Sequence, residues 1–198
     1  MAGGLAYSVA STQPVGSAPP HPDAANDMIE VLARLRRDPA LGRRRFVSSG
    51  FSARFAEVAA DPGFLGHLAG QTAETCDLGA LASTAHALYR SSGDFFALHT
   101  MTATHAARLV AEHLSDEGVK AALTVGLTRA VAVAYVVIGA PELTVQPYVG
   151  APPAWDAIVA VARESDDPHV LKMVHTCRSE QAAWGDSDYQ HTAATVMN

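Results

Sequence analysis

The stretch AVAVAYVVIGA, residues 130–140, constrains this chain more than any other. A helix that is apolar on almost every side cannot lie against solvent, so other elements must surround it. It is bounded by Arg129 and Glu142. At that length it is too short to span a bilayer, which takes about 20 apolar residues. The run therefore reads as a buried core helix.

The sequence around it supplies further helices, most of them marked at their ends. MIEVLARL (28–35) and RFAEVAA (54–60) carry apolar residues at helical spacing, and Asp61-Pro62-Gly63 ends the second. LGALASTAHALYRSS (78–92) places Leu78, Leu81, Ala85, Leu88 and Tyr89 on one stripe and stops at Gly93. Asp94 caps a helix through residue 114, and Asp116 opens a long one that ends at Gly139-Ala140-Pro141. Trp155–Glu164 is the next. Asp166 or Asp167 then caps a helix with Pro168 in its first turn and Gly185 beyond its last, and a short helix closes the chain. No segment shows the two-residue alternation of a half-buried strand; only ELTV (142–145) could be a short one. The expected fold is an all-α helical bundle, with at most a short extended segment near 142–150. It occupies residues 24–198 as one domain, behind a Pro-rich arm (1–23) in which Pro19-Pro20 forbids helix.

Charge and cysteines narrow the function classes. A formal charge of −6 over 198 residues argues against a nucleic-acid partner, which is held by clustered cations. Arg36-Arg37 and Arg43-Arg44-Arg45 are the local exception, and read as a solvated helix face. Cys76 and Cys177 lack CxxC spacing, which fits free thiols in a reducing compartment while leaving a single bridge open. MAGGLAYSVASTQ has neither a basic leader nor a strong apolar stretch, so a cytoplasmic protein without a membrane partner is expected.

Among 14 basic residues only Lys120 and Lys172 are lysines. Lys120 lies in a polar stretch. Lys172 stands between Leu171 and Met173, with Val170 and Val174 beyond, and shares a helix face with His169 at i−3. A lysine buried there would have its charged form disfavoured. Its neutral amine could act as a base, form a Schiff base or capture carbon dioxide as a carbamate. Alternatively its stem packs while its head stays wet. His169 sits in the first turn, where the helix dipole disfavours imidazolium and so favours the neutral ring a metal needs. His175, six residues on, points about 240° away around a helix of 3.6 residues per turn. His99 shares a face with Phe95, Phe96 and Thr102 and reads as inward, either as a hydrogen-bonded core residue or as a ligand. His105 and Arg108 are placed similarly at i,i+3. No HExxH, GxGxxG, Walker A or GxSxG motif occurs, which removes the commonest protease, dinucleotide, NTPase and hydrolase readings.

Four segments taken in order resemble the questin oxidase-like family: Asp94-Phe95-Phe96-Ala97-Leu98-His99 with Thr102, AYVVIGAPEL (134–143), WDAIVAVARES (155–165), and Asp167-Pro168-His169-Val170-Leu171-Lys172. GLAYSVASTQPVG (4–16) is similar to a further family segment. The resemblance lies in the family's C-terminal half. It implies an oxygenase of aromatic, anthraquinone-like polyketides, working by Baeyer–Villiger-type oxygen insertion or oxidative ring cleavage. It implies a non-haem Fe(II) held by His99, His169 and a carboxylated Lys172, and admits NADPH as reductant. Imidazole and carbamate oxygen suit Fe(II) with positions open for oxygen and substrate.

Family members are longer and carry further histidines in a first half that this chain does not match; His67, His86, His105, His113, His175 and His191 do not stand at those positions. Two expectations follow. The chain is one half of a two-chain enzyme, or a homo-oligomer, whose metal site is completed from outside it. Alternatively, it is a non-catalytic binding or assembly subunit with a degenerate metal site.

Overall fold

The computed structural model describes residues 27–47 and 50–196. The arm at 1–23 lies outside the described residues. Among those described, nine helices follow in order: α1 Met28–Arg37, α2 Phe51–Ala59, α3 Pro62–His67, α4 Leu78–Ser92, α5 Phe95–Glu112, α6 Glu117–Val137, α7 Trp155–Arg163, α8 Pro168–Trp184 and α9 Asp188–Thr195. No strand occurs among them, as an all-α bundle requires. Contacts gather the helices into two compact units that divide between Leu143 and Thr144.

Aspartate punctuates the chain. Asp27, Asp61, Asp77, Asp94, Asp116 and Asp167 each accept a backbone N–H of the helix that follows. Such a cap is worth about 1 kcal/mol against alanine. Asp61-Pro62, expected only to end α2, also begins α3: Asp61 Oδ1 takes the N–H of Gly63 at 2.8 Å and of Phe64 at 3.2 Å. ELTV is not a strand. It has no regular structure, and no strand among the described residues offers it a ladder.

The first unit is built on α6. Helices α1, α2, α4 and α5 all pack on it, and every residue from Val131 to Val136 is 2 % exposed or less. Val31, Leu32 and Leu35 of α1, Phe55 and Val58 of α2, and Leu81 and Leu88 of α4 join the same core. The helix is longer than its apolar run. At 21 residues it is, by length and composition, the one helix among the described residues that could cross a membrane. Yet 56 % of its apolar window is buried inside the structure, as in the core helix of a soluble protein.

The end of α6 is a double clamp. Gly139, at φ 94°, donates to Val136 O at 3.0 Å and Ala140 to Tyr135 O at 2.8 Å, the reciprocal pair of a Schellman motif. Ala140 is itself left-handed, at φ 47°, a conformation that costs a non-glycine residue about 1 kcal/mol or more. It is held by the Arg36 guanidinium, which donates to its carbonyl at 2.9 Å, and the Tyr135 hydroxyl donates to the next carbonyl, Pro141 O, at 2.8 Å. Gly42 sits so close behind the last turn of α1 that a Cβ there would run into the Arg36 carbonyl.

The arginine run at 43–45 is not a helix face. It lies in the loop after α1, and Arg44, with its side chain 16 % exposed, bridges Asp61 at 2.6 Å and Glu57 at 2.9 Å. The carboxylates of α2 and the α3 cap draw it in.

In the second unit α7, α8 and α9 pack mutually around Ile158, Ala162, Met173, Val174, Cys177, Tyr189 and Ala193. Polar side chains span the rest. Trp155 Nε1 donates to Gln181 at 2.9 Å and Trp184 Nε1 to the buried Glu180 at 2.7 Å. Tyr148 bonds Thr192 at 2.9 Å and stacks on His191 with ring centroids 4.5 Å apart.

Candidate metal centre

His99 belongs to the first turns of α5. Asp94 caps that helix through the N–H of Phe96 at 2.7 Å, which sets the register that places Phe95 and His99 one turn apart. His99 Nδ1 lies 2.8 Å from Phe95 O. A carbonyl can only accept, so Nδ1 carries a proton, and in the neutral ring Nε2 then has the lone pair. That is the tautomer a metal ligand needs. The face is not the interior one expected: Phe95 is 50 % exposed and His99 partly so. The ring stands instead at the edge of an aromatic row. Its centroid is 4.4 Å from that of Phe95, Phe95 meets Phe96 edge-on at 5.7 Å, and Phe96 stacks on Phe51 at 4.0 Å.

His169 is anchored in the same manner by a different acceptor. Asp167 Oδ1 takes both the backbone N–H of His169 at 2.9 Å and its ring Nδ1 at 2.7 Å. Those two bonds, the backbone one first, hold the Asp167 carboxyl below its usual range, with Lys172 adding a small pull in the same direction. An ionised carboxylate accepts only, so Nδ1 is again the protonated nitrogen. A carboxylate behind a histidine orients the ring and raises its basicity towards a metal.

Lys172 stands one turn along α8 from His169, and it is exposed. The buried stripe of the helix is Met173, Val174, Thr176, Cys177 and Glu180. Leu171 and Lys172 turn outward, with Leu171 43 % exposed. The expectation of burial is corrected for a geometric reason: neighbours along the sequence point 100° apart around a helix, so an apolar flank does not bury the residue between. The desolvation invoked for its amine is absent. His175 is exposed on the same helix.

The structure thus brings His169 and Lys172 together on the first turns of α8 in the second unit, and sets His99 on α5 in the first. Among the described residues no three His, Cys, Asp or Glu side chains gather as metal ligands. His67, His86 and His105 are buried in the first unit. His67 donates from Nε2 to Asp38 at 3.0 Å. Although burial works against it, that bond and those from the Ala40 and Leu41 backbone hold the Asp38 carboxyl below its usual range. A pair 29 residues apart on different elements leaves no local signal in the sequence.

Two comparisons find no counterpart: no curated protein and no solved structure matches. A family model described as Questin oxidase-like matches residues 2–177. The match takes in most of the Pro-rich arm and ends inside α8, five residues past Lys172. That description supports an oxygenase-type, oxidoreductase function in general terms. On a match of this extent, the chain belongs to the Questin oxidase-like family.

Proposed function

We propose that this chain is an oxygenase acting on an aromatic, anthraquinone-like polyketide, inserting oxygen beside a quinone carbonyl or cleaving the ring. The family match over residues 2–177 carries the reading. Each candidate ligand, taken by itself, offers donor chemistry that supports the metal this reading calls for. His99 and His169 each have Nδ1 tied back, to a carbonyl and to a carboxylate respectively, so Nε2 is the nitrogen that would serve a metal. Lys172 is open to solvent and hence to dissolved carbon dioxide, and its carbamate would supply an anionic oxygen. Bound Fe(II) would supply the activation of dioxygen. Asp167 would keep the His169 ring oriented, and the exposed Phe95 ring beside His99 offers a flat surface for a planar aromatic molecule. Insertion of one oxygen atom, with the other leaving as water, consumes two electrons, for which NADPH is the proposed donor. Incorporation of both atoms during ring cleavage needs none. A cytoplasmic location and assembly with a second copy or a separate chain complete the reading.

The second reading, a non-catalytic subunit with a degenerate site, draws support from the exposure of Lys172 and from the absence of a three-ligand group among the described residues. Metal analysis separates the two. Protein purified without chelator should hold iron, more of it with bicarbonate present, and should lose it on Lys172→Arg while staying folded. Protein that stays metal-free in iron with bicarbonate supports the subunit reading. Retention of full metal by Lys172→Arg ends the carbamate role.

A further inference from the structure

Arg43, Arg44 and Arg45 follow one another in the loop after α1, and they do not share one environment. Arg44 turns inward, held by Asp61 at 2.6 Å and Glu57 at 2.9 Å. Beside it Phe46 lies half-buried, with the guanidinium carbons of Arg44 and Arg54 each 5.7 Å from its ring centre. The start of the loop is fixed as well, since Leu41 and Gly42 donate their N–H groups to Asp38 O at 3.2 and 2.8 Å. On that base Arg43 and Arg45 are exposed, and neither has a hydrogen-bond or ion-pair partner among the described residues. Val47, just beyond, is fully open to solvent.

A surface of the opposite charge stands at the turn between α7 and α8. Glu164 and Asp166 are exposed there and also lack such a partner among the described residues, and Arg163 is the one cation beside them. Apolar side chains flank them: Val161 on α7 is 53 % exposed, and Leu171 near the start of α8 is 43 % exposed. The wider charge distribution has the same sense. Residues 144–198 hold seven Asp or Glu against three Lys or Arg, hence −4 of the chain's −6.

We infer that the arginine loop of one copy docks on the α7–α8 turn of a second copy. Arg43 and Arg45 meet Glu164 and Asp166, with Val47 set against Val161 and Leu171. A single exposed ion pair contributes little. Here two cations face two carboxylates beside apolar contact, and in a pair related by a two-fold axis both junctions form at once. Complementary charge orients the copies and speeds their encounter, while the apolar side chains leave water together. Asp166 is three residues from His169, so the second copy stands beside the candidate metal centre. The inference rests on the assembly named in the proposed function, and on neither its metal nor its substrate.

Light scattering on the full chain as it elutes from a sizing column gives the mass. The wild type should be a dimer at low salt, about 0.05 M, and bind itself at least about tenfold more weakly in 1 M salt, where screening acts within about 3 Å. Arg43→Glu with Arg45→Glu, and Glu164→Arg with Asp166→Arg, should each give a monomer at the low salt that pairs the wild type. Their melting temperatures should change little, because all four side chains are exposed. Mixed in equal amounts, the two variants should form a one-to-one pair, since each junction again joins opposite charges. A wild type that stays monomeric at low salt overturns the inference. So does a dimer that neither salt nor either variant weakens, or a mixture that fails to pair. The readout is mass, so loss of the metal reading would leave this inference standing, and a monomer that binds iron would end this inference alone.

Discussion

The two units hold themselves together by different means. The first wraps four helices around α6, and its interior is mostly aliphatic, with Leu32, Leu35, Leu88 and Val136 fully buried. The second has three helices and little aliphatic volume, so indole, amide and carboxylate bonds complete it: Trp155 to Gln181, Trp184 to Glu180, Tyr148 to Thr192. Aliphatic contacts are non-directional and survive small shifts; a buried hydrogen bond fails when one partner moves. The first unit is accordingly a scaffold, while the second, which carries His169 and Lys172, depends on polar geometry.

Truncation of the scaffold should have the largest effect. Leu32→Ala should cost about 3 kcal/mol in urea unfolding, the range for a leucine deleted from a packed core. A cost near 1 kcal/mol would mean that α1 is not integral to the first unit.

Next comes the buried carboxylate. Glu180→Ala leaves the Trp184 indole N–H without its acceptor and should destabilise the second unit by about 2 kcal/mol. The two cysteines allow this to be seen locally. Cys177 is buried, and burial, with Glu180 nearby, pushes its thiol well above the ordinary range; Cys76, in the first unit, is partly exposed. A thiol reagent should therefore label Cys76 in the native protein and Cys177 only through opening of α8. Glu180→Ala should speed the second reaction by about tenfold or more and leave the first unchanged. Equal acceleration of both would erase the distinction between the units.

A smaller effect is expected at the head of α8. Asp167→Ala removes both the helix cap and the anchor of His169. It should lower stability through the lost cap and, if iron is bound there, cost at least about tenfold in metal affinity. Asp167→Asn keeps the cap and should show the metal loss alone.

The mildest contrast is pH dependence. In the first unit, Asp61 is held below its usual range against the opposing effect of burial by Arg44 and the Gly63 and Phe64 N–H groups, as Asp38 is by His67. Their contribution is present above pH 3.8, the ordinary aspartate value, and is lost as pH falls through the lower folded-state values. Burial raises the Tyr135 hydroxyl to about 12. Its contribution is full below pH 10 and fades as pH rises from 10 to 12. Replacing Tyr135 by Phe should remove the alkaline slope and leave the acid one.

The sequence revealed most where chemistry is local. Asp94, Asp116, Asp167 and the two glycines Gly93 and Gly185 mark helix ends because a cap involves residues two to four apart. Asp61-Pro62 misled because the same pair stops one helix and starts the next. The resemblance to the family came from ordered local segments, and the match bears it out. What was not legible depends on the angle around a helix or on distant partners. Its apolar neighbours left Lys172 open to two readings, buried or with its head in water, and the stripe that faces inward begins only at Met173. Arg34 lies inside MIEVLARL without any local mark, and only the packing of other helices on α1 shows that it is enclosed.

The clamp at the end of α6 has a mechanical consequence. Any pull on the chain from Leu143 onward meets Ala140 and Pro141 first, where Arg36 and Tyr135 hold consecutive carbonyls and the Schellman bonds tie the backbone to the last turn. Tension applied through the C-terminus would therefore be borne at this knot before it reached the aliphatic interior. The three-helix unit, whose bonds are fewer and directional, would give way first. In a force-extension trace the chain should thus lengthen in two steps, with the higher force belonging to the residues before the knot.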